Sequence, residues 1–324
     1  MGRVMRRKVT IVGAGQTGAT LAHWLAQRGD VDIVLYDIVE GMPQGKALDL
    51  LEAMPVIGSD ANITGTNGWN ETVGSEIIVI TSGLPRKPGM SRDELLKVNA
   101  SIVAECARQA ASNSPNAILM LLTNPLDAMC HVALNNSGFP PEHVFGQAGI
   151  LDTARFRAFL AMETKVSVSE VNAYVLGGHG DDMVPLLGST NIGGVPVTTL
   201  IPADRLAAIV ERARKGGAEI VNLLKTGSAF YAPSAALAQM IDAVLNDRKR
   251  ILPCAVYTGD NGGGYGVSDL YLGLPAIIGA GGVEKIVSID LTADERQALH
   301  KSAGSVRELV DALKGFDPPM LPSD

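Results

Sequence analysis

The chain is predicted to be an α/β protein: a Rossmann-type doubly wound parallel sheet followed by an α+β substrate-binding, catalytic domain. Three observations support this. Strand and helix signals alternate through the first 150 or so residues, as they do where helices join parallel strands. The strand signals are apolar throughout rather than alternating, which suits strands covered on both faces. Gly13-Ala14-Gly15-Gln16-Thr17-Gly18 stands between the first strand and the first helix. That is where such folds cradle a dinucleotide pyrophosphate.

The elements follow in order. Residues 9–12 form a short β-branched strand and residues 16–28 a helix. Residues 33–36 are a second strand ending at Asp37, and residues 63–65 a weak third. Residues 76–81 (E-I-I-V-I-T) and 117–123 (A-I-L-M-L-L-T) are apolar strands. After about residue 150 the pattern changes to short strands at 171–176 and 195–200, a helix after Pro202 and another at 235–245. Strands are expected near 251–257 and 286–289. Thr292-Ala293-Asp294-Glu295 opens the last helix with a capping box, and that helix ends near Gly315. The tail Pro318-Pro319-Met320-Leu321-Pro322 is irregular. This divides the chain into a dinucleotide-binding domain, 1–149, and a substrate-binding catalytic domain, 150–324. No internal repeat is evident.

Bulk properties narrow the function. The 324 residues allow two domains. Aromatics are only 4%, so the core is built from Val, Ile, Leu, Ala and Met. A net charge of −7 with no basic stripe excludes a nucleic-acid partner. It does not exclude an anionic substrate, because a few local arginines govern a pocket. The basic start, Met1 to Lys8, precedes an apolar run too short for a signal peptide, and Arg6 spoils a myristoylation motif at Gly2. No run is long enough to span a bilayer. Cys106, Cys130 and Cys254 are widely spaced with no C-x-x-C. That speaks against disulfides and a metal site and for a reducing cytoplasm.

The chemistry lies in a few clusters. G-x-G-x-x-G alone is weak, but its strand-to-helix placement and Asp37 at the end of the next strand strengthen it. Asp37 suits the adenosine ribose hydroxyls and repels a 2′-phosphate. Ile38-Val39-Glu40 offers no arginine, so NAD is favoured over NADP. Arg86 and Arg92 lie in Leu84-Pro85-Arg86-Lys87-Pro88-Gly89-Met90-Ser91-Arg92, a Pro/Gly-stiffened loop running into a helix. Ser91 and Glu94 form a capping box, so the helix starts at Arg92. Arginine suits bidentate carboxylate recognition, although a solvated basic loop would look the same.

Thr123-Asn124-Pro125 ends the fifth strand, where open α/β sheets bind ligands; the plainer alternative is a turn before proline. Asp152 and Arg155 share a helix face, as catalytic partners or as an ordinary i,i+3 ion pair. His179, in Gly177-Gly178-His179-Gly180-Asp181, is the best of the five histidines for function. His23, His131, His143 and His300 read as structural or surface residues. Residues 259–266 form a glycine-rich run without the Lys-Ser/Thr of a P-loop, read as a flexible hairpin turn.

Taken in order, these motifs resemble the lactate/malate dehydrogenase family over nearly the whole chain, from Lys8 to Gly315. The resemblance is strongest to its lactate dehydrogenase-like malate dehydrogenases. It implies NAD as cofactor and malate, a small dicarboxylate, as substrate. It implies His179 as proton acceptor, Asp152 as its orienting carboxylate and Arg155 on the carboxylate beside the reacting carbon. Arg92 would polarise the carbonyl, and Arg86 would hold the distal carboxylate where lactate dehydrogenases carry Gln. Asn99, Leu122, Thr123 and Asn124 would contact NAD, and Asn124 the substrate as well. It further implies a homo-oligomer, a tetramer with a dimer as the alternative. Two other activities stay open: a lactate or other 2-hydroxy-acid dehydrogenase, which Arg86 opposes, and an NAD-dependent glycoside hydrolase. The latter enzymes typically bind a metal through Cys and His, and no cysteine falls near His179 in sequence.

Overall fold

The computed structural model describes residues 6–85, 91–316 and 320–321. The chain begins with β1 (Arg7–Val12), α1 (Gln16–Ala26), β2 (Val31–Tyr36), α2 (Met42–Ile57), β3 (Asn62–Thr66) and β4 (Ile77–Ile80). It continues through α3 (Arg92–Asn113), β5 (Ile118–Leu121), α4 (Leu126–Ser137), β6 (Val144–Gly146) and α5 (Gly149–Thr164). Among the described residues these strands lie in the order β3-β2-β1-β4-β5-β6, all parallel. β4 and β5 are buried at every position, so their apolar runs have helices on both faces. The order reverses between β1 and β4, and an open sheet has its crevice at the carboxyl ends of such a pair.

The remaining elements are β7 (Val171–Asn172), β8 (Val175–Leu176), β9 (Val184–Pro185), β10 (Asn191–Ile192), β11 (Val195–Pro196), α6 (Val197–Leu200), α7 (Ala203–Leu224), α8 (Tyr231–Leu245), β12 (Arg250–Tyr257), β13 (Tyr271–Gly279), β14 (Gly282–Ile286) and α9 (Ala293–Lys314). β12 pairs antiparallel with β6 through Ala255 and Gly146, and β13 and β14 extend the same sheet. The large sheet therefore crosses the expected 149/150 boundary. A second core, with Phe156, Leu160, Val171, Val197 and Leu206, holds α5, α7 and the short strands together.

Several expectations need correction. Residues 195–200 are a strand only at Val195–Pro196. Pro196 donates no N–H, Val197 bonds Thr190 instead, and Ile201 closes a helical turn back to Val197. The last strand stops at Ile286: Val287 N–H still bonds the opposite Pro275 carbonyl, but Pro275 has no N–H to return, and Ile289 N–H goes to the Tyr265 hydroxyl. β13 went unplaced in the sequence; its Pro275 lies directly opposite Pro253 of β12. Residues 259–266 do connect two antiparallel strands, but they are packed. Tyr265 is buried with its hydroxyl on Val287 and Ile289, and a Cβ on Gly263 would lie 2.7 Å from Ile286.

Candidate active site

The glycine turn is built for close approach. Gly13 has φ +113°, and a Cβ there would meet Thr81 Oγ1 at 2.6 Å. A Cβ on Gly18 would lie 1.8 Å from the Gly13 carbonyl oxygen, so the helix packs on the strand through bare backbone. At Gly15, the N-cap of α1, a Cβ would meet nothing, leaving open space in front of the helix N-terminus formed by Gln16 and Thr17. Asp37 accepts the Ala14 N–H at 2.7 Å and the Val39 N–H at 3.0 Å. Its carboxylate is thereby held against the turn. Lys46 of α2 donates to the Ala14 carbonyl at 2.6 Å, a contact the sequence did not announce. This cradle fits a dinucleotide: open backbone at the helix end, with an acidic group where a ribose would lie.

On the other side of the switch point, Thr123 Oγ1 donates to the Ser82 carbonyl at 2.6 Å, and Leu122 N–H bonds Ile80. Asn99, buried on α3, accepts the Leu84 N–H at 2.8 Å and donates to the Leu84 and Asn124 carbonyls at 3.2 and 2.7 Å. Its amide thus ties the stem of the arginine loop to the end of β5. The Asn124 side chain is exposed. Ser91 caps α3 reciprocally with Glu94, as expected, and Arg92 is the first helical residue. Arg86 lies outside the described residues, as do Lys87, Pro88, Gly89 and Met90.

The three catalytic candidates of the second half meet. His179 Nδ1 lies 2.8 Å from Asp152 Oδ2, and the other Asp152 oxygen accepts from Arg155 at 3.2 Å. Asp152 is 3% exposed, so this is no surface ion pair. An ionised carboxylate only accepts, so the proton sits on Nδ1 and Nε2 keeps its lone pair. Burial alone would push the imidazole down. The Asp152 charge and hydrogen bond, with a smaller contribution from Asp127, outweigh it and hold the ring above its ordinary value. Arg155 also donates to the Ala213 carbonyl at 3.3 Å and lies over Gly216 of α7, where a Cβ would stand 2.2 Å from Arg155 Cδ.

Arg92, Asp127, His179, Ser302 and Ser305 line one cavity of about 400 Å³. Arg92 and His179, 87 positions apart in the sequence, thus face the same space. Sequence reasoning missed Asp127, whose carboxylate accepts the His179 N–H at 2.9 Å, and Ser302, which accepts the Gly178 N–H at 2.9 Å. Neither had a local signal: Asp127 reads as an ordinary aspartate in the first turn of a helix. Among the described residues no group of His, Cys, Asp and Glu could hold a metal ion, and no helix is long and apolar enough to cross a membrane. Cys106, Cys130 and Cys254 are free and buried.

A dinucleotide cradle on a doubly wound sheet, together with a histidine–aspartate–arginine cluster built by α5 and the β8–β9 loop, is an arrangement suited to an oxidoreductase. Residues 7–146 match the lactate/malate dehydrogenase NAD binding domain, and residues 150–316 match the lactate/malate dehydrogenase alpha/beta C-terminal domain. The chain belongs to the lactate/malate dehydrogenase family. It is 61% identical to a malate dehydrogenase of Thermomicrobium roseum, covering 96% of this chain and 99% of that one. Among solved structures it is similar to a malate dehydrogenase of Cryptosporidium parvum (TM-score 0.92, 44% identity, 96% and 100% of the two chains). It is equally similar in shape to a lactate dehydrogenase of that organism, solved with lactic acid and NAD (TM-score 0.93, 39% identity, 97% and 100%).

Proposed function

We propose that this chain is an NAD-dependent malate dehydrogenase, interconverting L-malate and oxaloacetate. The observation that carries the reading is the His179–Asp152 pair at 2.8 Å, with Arg155 on the same carboxylate. Residues 13–18, Asp37, Asn99 and residues 122–124 would hold NAD, which would supply the acceptor for the hydride that leaves C2 of malate. His179 Nε2 takes the hydroxyl proton, and Asp152 holds the ring in the required tautomer and stabilises the imidazolium. Arg155 holds the carboxylate beside the reacting carbon, and Asn124 donates to the substrate. Arg92 reaches the carbonyl oxygen when the site is closed to water, and Arg86 takes the distal carboxylate. Residues 1–149 form the cofactor domain and 150–324 the substrate domain.

The fold does not separate malate from lactate, since both kinds of relative superpose equally well. Arg86 and the malate dehydrogenase relatives at 54–61% identity support malate. An unpaired buried charge costs about 2–5 kcal/mol. Wild-type enzyme should therefore prefer oxaloacetate over pyruvate by roughly 10²–10⁴-fold in kcat/KM. Arg86→Gln should lower the first activity, raise the second and narrow that ratio. NADH absorbance assays with both substrates on both proteins check it, and an unchanged ratio would remove Arg86 from the distal-carboxylate role.

The oligomer is a homotetramer, with a dimer as the alternative. Leu48, Leu51, Val56 and Ile57 of α2 are exposed, apolar side chains that a second copy would cover. Sedimentation measures the state. The enzyme works in the cytoplasm, in keeping with its free thiols, and serves the tricarboxylic acid cycle.

A further inference from the structure

One buried ionisable group has no part in that mechanism. Asp127 stands in the first turn of α4, is 4% exposed and shares the cavity of His179. Its Oδ2 accepts the His179 backbone N–H at 2.9 Å. Its Oδ1 is buried and has no hydrogen-bond partner among the described residues. A buried carboxylate held by one backbone N–H is a costly arrangement. Burial, its largest influence, pushes it up to about 6, so it is still ionised at neutral pH. An asparagine or an apolar residue would avoid that cost.

The groups around His179 show what the charge does. From α5 come Asp152 and Arg155, and from α4 Asp127. Arg92 of α3 lies across the cavity, and Asp181 and Asp182 flank the ring on its own loop. Asp182 is bridged to Lys301 of α9, and Arg214 and Lys215 of α7 lie by Asp181. The α9 residues in the same cavity, Ser302 and Ser305, are uncharged. Asp152 divides its two oxygens between the imidazole and Arg155. Asp127 has no cationic side chain in hydrogen-bond contact among the described residues.

We infer that Asp127 is a positioning residue for His179: its carboxylate fixes the backbone of the Gly178-His179 turn and sets a second negative charge behind the imidazole. The inference rests on His179 being the proton carrier. Asp127→Asn keeps an acceptor for the 2.9 Å N–H but removes the charge. Without that charge the imidazolium is less favoured, so the imidazole loses its proton at lower pH. The alkaline limb of kcat/KM for oxaloacetate reduction should move down by roughly 0.5–1 pH unit, less than for a directly contacting pair. The acid limb for malate oxidation should move the same way. Asp127→Ala also loses the acceptor and should lose roughly tenfold or more in kcat while binding NADH normally, with Asn restoring most of the turnover.

Binding of the unreactive dicarboxylate hydroxymalonate to the NADH complex, followed against pH by fluorescence, reads the same proton without turnover and should shift in parallel. If the Asp127→Asn profiles superimpose on wild type above pH 6.5, or if Asn rescues nothing that Ala lost, the inference is overturned. His179→Asn separates this from failure of the underlying reading: near-normal turnover in that variant sinks the proton-carrier role itself, whatever Asp127 does.

Discussion

Two histidines of this chain, both largely buried, have opposite chemistry. His131 lies on α4, edge-on to Tyr271 with ring centroids 5.0 Å apart, and its Nε2 accepts the Tyr271 N–H at 3.0 Å. Burial pushes it down to about 4, with Arg307 and Lys314 pushing the same way. His179 is also pressed downward by burial, but the Asp152 and Asp127 carboxylates carry it above its ordinary value. In both rings the proton belongs on Nδ1. The difference lies at Nε2: His131 uses its lone pair on a strand, whereas His179 Nε2 accepts no hydrogen bond from the described residues. A histidine becomes a proton carrier through a carboxylate at one nitrogen and space at the other, and burial by itself does neither.

The largest test of that contrast is turnover. His179→Asn should lose roughly 10²–10⁴-fold in kcat with NADH binding retained, whereas His131→Phe should turn over close to wild type. Equal losses in steady-state assays of the two variants would erase the distinction.

Stability should show the reverse emphasis. His131→Phe leaves the Tyr271 N–H without an acceptor, at about 1–3 kcal/mol, measured by denaturant unfolding at pH 7.5. The pH dependence sharpens it. His131 titrates at about 4 folded and near 6.5 unfolded, so as pH falls below 6.5 the unfolded chain takes the proton first. Its contribution is present above pH 6.5 and is lost towards pH 4. The gap between wild type and His131→Phe should therefore narrow over that window, by up to about 3 kcal/mol at 1.36 kcal/mol per unit.

The smallest effect has the opposite sign. His179 has its folded value raised, so its contribution is full below pH 6.5 and is lost as pH rises through that raised value. Unfolding of His179→Asn against wild type should show a difference that shrinks as pH rises above 6.5. A difference that grows with pH would mean that the carboxylates do not govern this ring.

Much of the site was legible because it is local. The glycine turn with Asp37, the Ser91–Glu94 box and the Asp152–Arg155 spacing each depend on residues a few positions apart or on one strand-to-strand step. Asp127 was missed because its partner is 52 positions away. Nothing local distinguishes it from a helix-start aspartate. Gly216 was missed for the same reason, since its need for a bare Cα comes from Arg155 on another helix.

The same division holds for the fold. Apolar runs such as residues 77–80 and 118–121, set between helix signals, suit strands buried on both faces, so the parallel half of the sheet was legible in the sequence. In the second half β7 to β11 are only two residues long, and their pairing depends on which chain passes alongside. That β12 continues the first sheet through Ala255 and Gly146, that residues 197–200 form a helical turn, and that His179 reaches Asp152 are outcomes of packing between distant segments. Local propensity carries no information about a neighbour that arrives a hundred residues later, and only tertiary structure could supply it.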